Sequence, residues 1–436
     1  MKAAPPSAGD TSRTVNSRFL MLAAANMAGA AAGFLLLSVI GHASGAAALG
    51  QISVALSVLT YAQIVTNFGS DSFAIRAVVA RRSTARDLIP TVIASRLALC
   101  IPTLLVVGAL CLAVPSLSDE RAIIAMLSVS VLASAILPLW AAQAFEQTGV
   151  VAICNVAGPV LNLALALVAA ATDIGVLGYA AARVATDGVI AVGLLAWTLR
   201  RQGWGPWPQW SELVRFIRGA APIGGSKLLN GASLASDLII VDLFATAAAN
   251  VGHYAAPARV YALVLTLSAM YFVIVLPIFS RAATRGPLWL KAEMTRSLLR
   301  TLPAALLGAG LVAFLARPLL HVGFGADFVE AAPILNLLMI AAVANLISRT
   351  FGQALIAGGS ASAEMRATLI GVVVAICAKI GLSAAYGVTG TAFATVGGEL
   401  LLLLLQGRAV MALMAKPYPA PRPRLKPERV TDNPSA

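Results

Sequence analysis

Five basic residues stand inside long apolar stretches of the chain: Arg96, Arg183, Lys227, Arg259 and Lys379. The acids Asp187, Glu399 and Asp237 share those stretches, and Asp71 lies near the end of another. A surplus of base over acid in apolar surroundings suits the capture of an anion. Arg suits phosphate in particular, because its planar fork donates two parallel hydrogen bonds. The acids suit internal pairing, coupling to a proton, or gating. Asp187 follows Arg183 by four residues, so on one helix the two meet. No other constellation offers chemistry. Cys100, Cys111, Cys154 and Cys377 form no CxxC pair and read as small packing residues. His42, His253 and His321 are scattered. No acid–His or paired-carboxylate arrangement stands in a sizeable loop. Neither an enzyme nor a bound metal or cofactor is expected.

The elements that carry these residues are membrane spans. Hydrophobic residues make up 59% of the 436, charged residues 11%, and the mean hydropathy is +0.87. Ordinary soluble domains are about 25% charged. A chain this apolar needs lipid as its solvent. Twelve stretches are long enough to span: roughly 18–41, 46–70, 88–114, 121–143, 150–171, 174–199, 219–242, 255–280, 298–316, 331–351, 366–386 and 389–414. The expected fold is therefore an all-α integral membrane protein. A charge at bilayer depth costs from about 2.5 to well over 10 kcal/mol. The five bases must then face a cavity, a partner or the interface.

The loop charges test this count. With the N-terminus in the cytoplasm, twenty-four of the 31 basic residues fall on the cytoplasmic side, Arg349 at the end of span ten among them. The outer loops then hold only Arg121 and Arg317. This bias places both termini in the cytoplasm. It also accounts for the net charge of +13 without nucleic acid. The expected organisation is a cytoplasmic N-terminal segment (1–17), a six-helix lobe (18–199), a cytoplasmic amphipathic linker (200–218), a second six-helix lobe (219–414) and a disordered cytoplasmic tail (415–436). Trp204, Trp207 and Trp210 recur every third residue in the linker, which suits the lipid headgroup layer. The longest inner loops are expected after spans six and eight, and the longest outer loop around residues 317–330.

The chain also repeats itself. Residues 175–187 and 387–399 both read G-V-x-G-x-A-x-A-x-V-x-x-acid. A weaker echo joins residues 49–52 to residues 251–254. Six spans per copy is an even number, so both copies share one orientation. Such parallel repeats enclose a central cavity about an axis along the membrane normal.

Residues 48–57 (ALGQISVALS) and 67–76 (NFGSDSFAIR) carry a resemblance to a known family. So do residues 237–244 (DLIIVDLF), 251–260 (VGHYAAPARV), 276–281 (LPIFSR) and 387–395 (GVTGTAFAT). Together they are similar to bacterial polysaccharide and O-antigen flippases of the multidrug/oligosaccharidyl-lipid/polysaccharide exporter superfamily. The resemblance implies two six-helix lobes in a bacterial inner membrane. It implies a polyprenyl-pyrophosphate-linked oligosaccharide as substrate, moved from the inner to the outer leaflet by alternating access. Membrane lipid, a polysaccharide polymerase and glycosyltransferases are the implied partners. On this reading Arg96, Arg183, Lys227, Arg259 and Lys379 bind pyrophosphate and sugar, while Asp71, Asp187, Asp237 and Glu399 couple or gate. Related flippases carry a sodium site on helices seven, eleven and twelve. Here those helices offer Asp237, Lys379 and Glu399, and the lysine ammonium takes the place of a metal ion. The rival within the superfamily is a drug or metabolite antiporter. Many of those have an acid and a proline in the first helix, and span one here has neither. A membrane glycan polymerase is the rival from another class.

Overall fold

The computed structural model describes residues 8–80, 85–172, 174–245 and 248–415. The tail from 416 to 436, residues 1–7 of the N-terminal segment, and Arg81 and Arg82 lie outside the described residues. The chain folds into α1 (Ala8–Asn67), α2 (Ser70–Ala80), α3 (Ala85–Ala113), α4 (Arg121–Ile136), α5 (Leu139–Ala144), α6 (Thr148–Ala171) and α7 (Val176–Gln202). Then come α8 (Trp210–Phe244), α9 (Ala248–Arg285), α10 (Pro287–Phe314), α11 (Ala316–Phe324), α12 (Ala332–Ala357) and α13 (Ala361–Met414). Among the described residues, nine helices are long and apolar enough to cross a membrane. Two of these bend at a glycine and cross twice: α1 at Gly45 and α13 at Gly387. Counting α8, 35 residues long and packed along α1 and α13, the described residues make twelve crossings. Phe314 is 84% exposed and Leu112 77%, a surface that only lipid accommodates.

The repeat has a physical cause at its glycines. Gly175 (φ 76°) and Gly387 (φ 58°) both turn the chain into the following crossing with a backbone that L-residues rarely adopt. Three residues on, Gly178 and Gly390 let that crossing pack tightly on the one before it. A Cβ there would press on Ala169 or overlap the Leu382 carbonyl, respectively. One motif thus builds the same turn in both lobes. The weaker echo also has a place, since a Cβ on Gly252 would overlap the Ala46 carbonyl oxygen. Corresponding ends of the two lobes therefore meet across the centre of the molecule.

We define the linker face as the one carrying residues 203–209, and the far face as the opposite one. The far face is closed by a continuous core that joins the lobes. Leu37, Ile40 and Leu49 of α1 pack there with Val251 and Tyr254 of α9, Phe324 of α11 and Leu335 of α12. On the linker face the lobes meet along a thinner strip. Phe68 (φ 37°) and Gly69 (φ 76°) break α1 from α2, and a Cβ on Gly224 of α8 would lie 2.6 Å from the Phe68 carbonyl oxygen. Phe73 and Phe216 stack edge to face beside it, with centroids 5.1 Å apart.

Several sequence expectations are corrected. The long loop expected after span eight is helical, because α9 runs to Arg285 and α10 starts at Pro287. Proline at the first helical position starts a helix readily. The expected loop around 317–330 is also folded, as α11 and a 3-10 turn, Ala326–Ala331. Arg349 does not stand at the end of its helix on the cytoplasmic side, because α12 continues to Ala357 and holds it within the helix, lining the cavity. Within the expected linker, Trp210 already opens α8, whose start is capped reciprocally by Gln209 and Glu212.

Candidate functional site

Two cavities meet at the middle of the molecule. One, of about 530 Å³, lies within the first lobe toward the linker face. Asn26, Asp71, Arg96, Asn155 and Asp187 are among its lining residues. The other, of about 480 Å³, lies between the lobes and is lined by Ser57, Thr60, Asp237, Arg259, Thr266 and Arg349. Gln63 and Arg183 line both cavities and mark where they join.

Arg96 is held by its own lobe. It is 2% exposed. Its Nε donates to Ser70 Oγ at 2.8 Å and its Nη2 pairs with Asp71. Its Nη1 donates to the Ser134 and Leu137 carbonyls at 3.3 and 3.0 Å. The helical ladder of α4 is interrupted there, because Pro138 has no N–H to give Ser134, whose carbonyl keeps only a long bond of 3.4 Å from Leu137 N–H. Arg96 therefore adds a donor at the break. Asp71 also accepts from Asn67 Nδ2 at 2.5 Å.

Arg183 pairs with Asp187 one turn on, at 2.9 Å, with 37% of its side chain exposed to the cavities. Lys379 is buried and pairs with Asp237, which also accepts from Tyr254 at 2.9 Å and from Thr395 at 3.3 Å. That cluster ties α8, α9 and the two arms of α13 into one body. Glu399 accepts from Asn345 Nδ2 at 3.0 Å on both oxygens, and Asn345 Oδ1 in turn accepts from Arg349 Nε at 3.1 Å. Lys227 is exposed on α8.

Arg259 differs from the other bases. Its Nε is buried with no hydrogen-bond partner, and no ion pair joins it to an acid among the described residues. Proximity to Arg183 and Arg349 makes three guanidiniums around one cavity, from α7, α9 and α12. Sequence reading placed Arg349 at the cytoplasmic end of span ten and not among the cavity bases. The four-residue step from Asn345 to Arg349, within an apolar run reaching Ala357, was the signal available.

No curated protein matches the chain. Solved structures do. A structure described as lipid II flippase MurJ in an inward closed conformation is 12% identical, with a TM-score of 0.75, over 90% of this chain and 87% of that one. An inward-facing multidrug resistance MATE family transporter of the MOP superfamily is 14% identical, with a TM-score of 0.67, over 89% and 95%. A MOP superfamily transporter from Pyrococcus furiosus is 14% identical, with a TM-score of 0.60, over 92% and 96%. Identities this low establish a shared fold of two helical lobes. The model of one sequence family, described as polysaccharide biosynthesis protein, matches residues 17–283, and the chain belongs to that family.

Proposed function

We propose that the protein is a flippase for a polyprenyl-pyrophosphate-linked oligosaccharide. It carries the lipid-linked unit from the inner to the outer leaflet of a bacterial inner membrane, with both termini in the cytoplasm, by alternating access of lobes 18–199 and 219–414. The observation that carries this reading is the cavity between the lobes. Arg183, Arg259 and Arg349 converge on it, and Arg259 has no acid to neutralise it. A pyrophosphate supplies the missing charge and the acceptors that a guanidinium needs. Hydroxyl and amide groups of Ser57, Thr60, Gln63 and Thr266 line the same space and suit sugar hydroxyls. The family match and the likeness to a structure described as a lipid II flippase support the same reading.

Each charged group has a place in this scheme. Arg183 and Arg259 hold the pyrophosphate together with Arg349. Arg96 and Lys379 hold the lobes in shape through Asp71 and Asp237. Asp187 and Glu399 adjust the cavity charge as substrate enters, and Lys227 meets it at the rim of α8. A drug-cation antiporter fits less well, because a cation would meet three guanidiniums. The test is equilibrium binding of a polyprenyl pyrophosphate to purified protein in nanodiscs. Binding that Arg259→Ala weakens, with folding intact, supports the proposal. Equal binding by the variant contradicts it.

A further inference from the structure

Where the lobes close on the far face, three acids gather. Asp119 ends the 3-10 turn Pro115–Ser118, Glu120 caps the start of α4, and Asp242 lies at the end of α8 in the other lobe. Glu120 is 2% exposed, and its Oε2 has no hydrogen-bond partner among the described residues. Ser116 Oγ donates to Asp242 Oδ2 at 3.1 Å, so this spot is itself a contact between lobes.

The surroundings offer no cation to a carboxylate at Glu120. Arg121 is exposed and its Nε donates to the Cys111 carbonyl of α3 at 2.6 Å. Among the described residues no ion pair joins it to Asp119, Glu120 or Asp242. Tyr61 of α1 lies with Asp242 along a neighbouring apolar groove. Nor do the described residues form a group of three or more acids, histidines or cysteines fit for a metal ion. A buried, unpaired carboxylate beside two others is costly, and a proton removes that cost.

We propose that Glu120 is a proton-binding site that locks the far face shut: the lobes close when Glu120 takes a proton from the adjoining solvent and part when it loses it. The geometry stands with the electrostatics. Burial, then the charge of Asp242 and that of Asp119, push the Glu120 carboxyl up to about 7 from 4.5. Opening exposes Glu120 to water and returns it toward the ordinary value. The closed state therefore binds the proton more tightly. Below about 4.5 both states hold it and pH has no effect; between about 4.5 and 7 closing takes up a proton and weakens as pH rises; above 7 the full cost persists. The lock is independent of the substrate proposed above, so its failure leaves that proposal standing, and the reverse.

The experiment uses the full chain in nanodiscs with the native cysteines replaced. Ser118→Cys and Arg317→Cys, both exposed on the far face in opposite lobes, carry spin labels for distance measurement. Between pH 5 and pH 8 the closed-to-open ratio is expected to fall, by up to about 70-fold. Glu120→Gln should hold the short distance at both pH values. Asp242→Asn removes one opposing charge and should weaken the response, which keeps a test available if the glutamine variant fails to fold. An unchanged distance distribution in the wild-type background overturns the proposal. So does a full pH response in either variant.

Discussion

Arg259 keeps a buried Nε without an acceptor, whereas Arg96 spends its guanidinium on Ser70, Asp71 and two carbonyls where α4 breaks. The two arginines should therefore fail differently. Arg259→Ala removes charge-assisted bonds to the substrate, each worth about 1.5–3 kcal/mol. Affinity for a polyprenyl pyrophosphate should fall roughly 10- to 150-fold with the melting temperature little changed. Arg96→Ala should instead lower stability by about 1–3 kcal/mol, because it takes the donor from the buried Ser70 hydroxyl and from the carbonyls at the α4 break. Thermal unfolding in detergent reads this directly, and Arg96→Lys should rescue it poorly, since one ammonium cannot serve both the carboxylate and the carbonyls. The same logic applies to Lys379→Gln, which leaves Asp237 buried among hydroxyls. The paired variant Asp237→Asn with Lys379→Gln should recover much of the loss, and a loss equal to the sum of the singles would refute the pairing. Residue types alone pointed to charged positions at depth. They could not say which were spoken for, because the partners of Arg96 come from helices 25 to 41 residues away in sequence.

The helices were more legible. Twelve crossings follow from apolar length, and the repeat marks where two of them begin. The structure adds the reason for the glycines. Gly175 and Gly387 hold positive φ, so Gly175→Ala and Gly387→Ala should each cost about 1–3 kcal/mol in thermal unfolding. Gly188→Ala, in the middle of α7 with open space at its Cβ, is the matched control and should be neutral or mildly stabilising. Gly252 concerns motion. A valine there would overlap the Ala46 carbonyl and keep the lobes apart on the far face. Gly252→Val should insert normally yet transport poorly, with far-face cysteines more accessible to a thiol reagent. What apolar length could not give was the ends of helices. The run from Arg281 to Arg300 is charged enough to read as a loop, yet folds as α9 and α10 on the linker face, where basic side chains meet water while leucines meet lipid.

As a whole, the molecule is two six-helix lobes joined firmly on the far face and lightly on the linker face, with three guanidiniums around a central cavity. In the proposed cycle the pyrophosphate is the counter-ion that Arg259 lacks. Lys379 supplies a fixed cation to Asp237, so transport should be indifferent to sodium at constant pH and membrane potential. Sodium-dependent uptake into vesicles would contradict that. The most direct measurement of the central claim is made in a strain lacking the gene and any redundant flippase. Its polyprenyl-linked oligosaccharides are extracted and assigned to a leaflet, and surface polysaccharide is measured alongside. The account predicts lipid-linked units trapped on the cytoplasmic side and lost surface polymer, both restored by the wild-type gene but not by Arg259→Ala. Normal surface polymer with no trapped intermediate would contradict it.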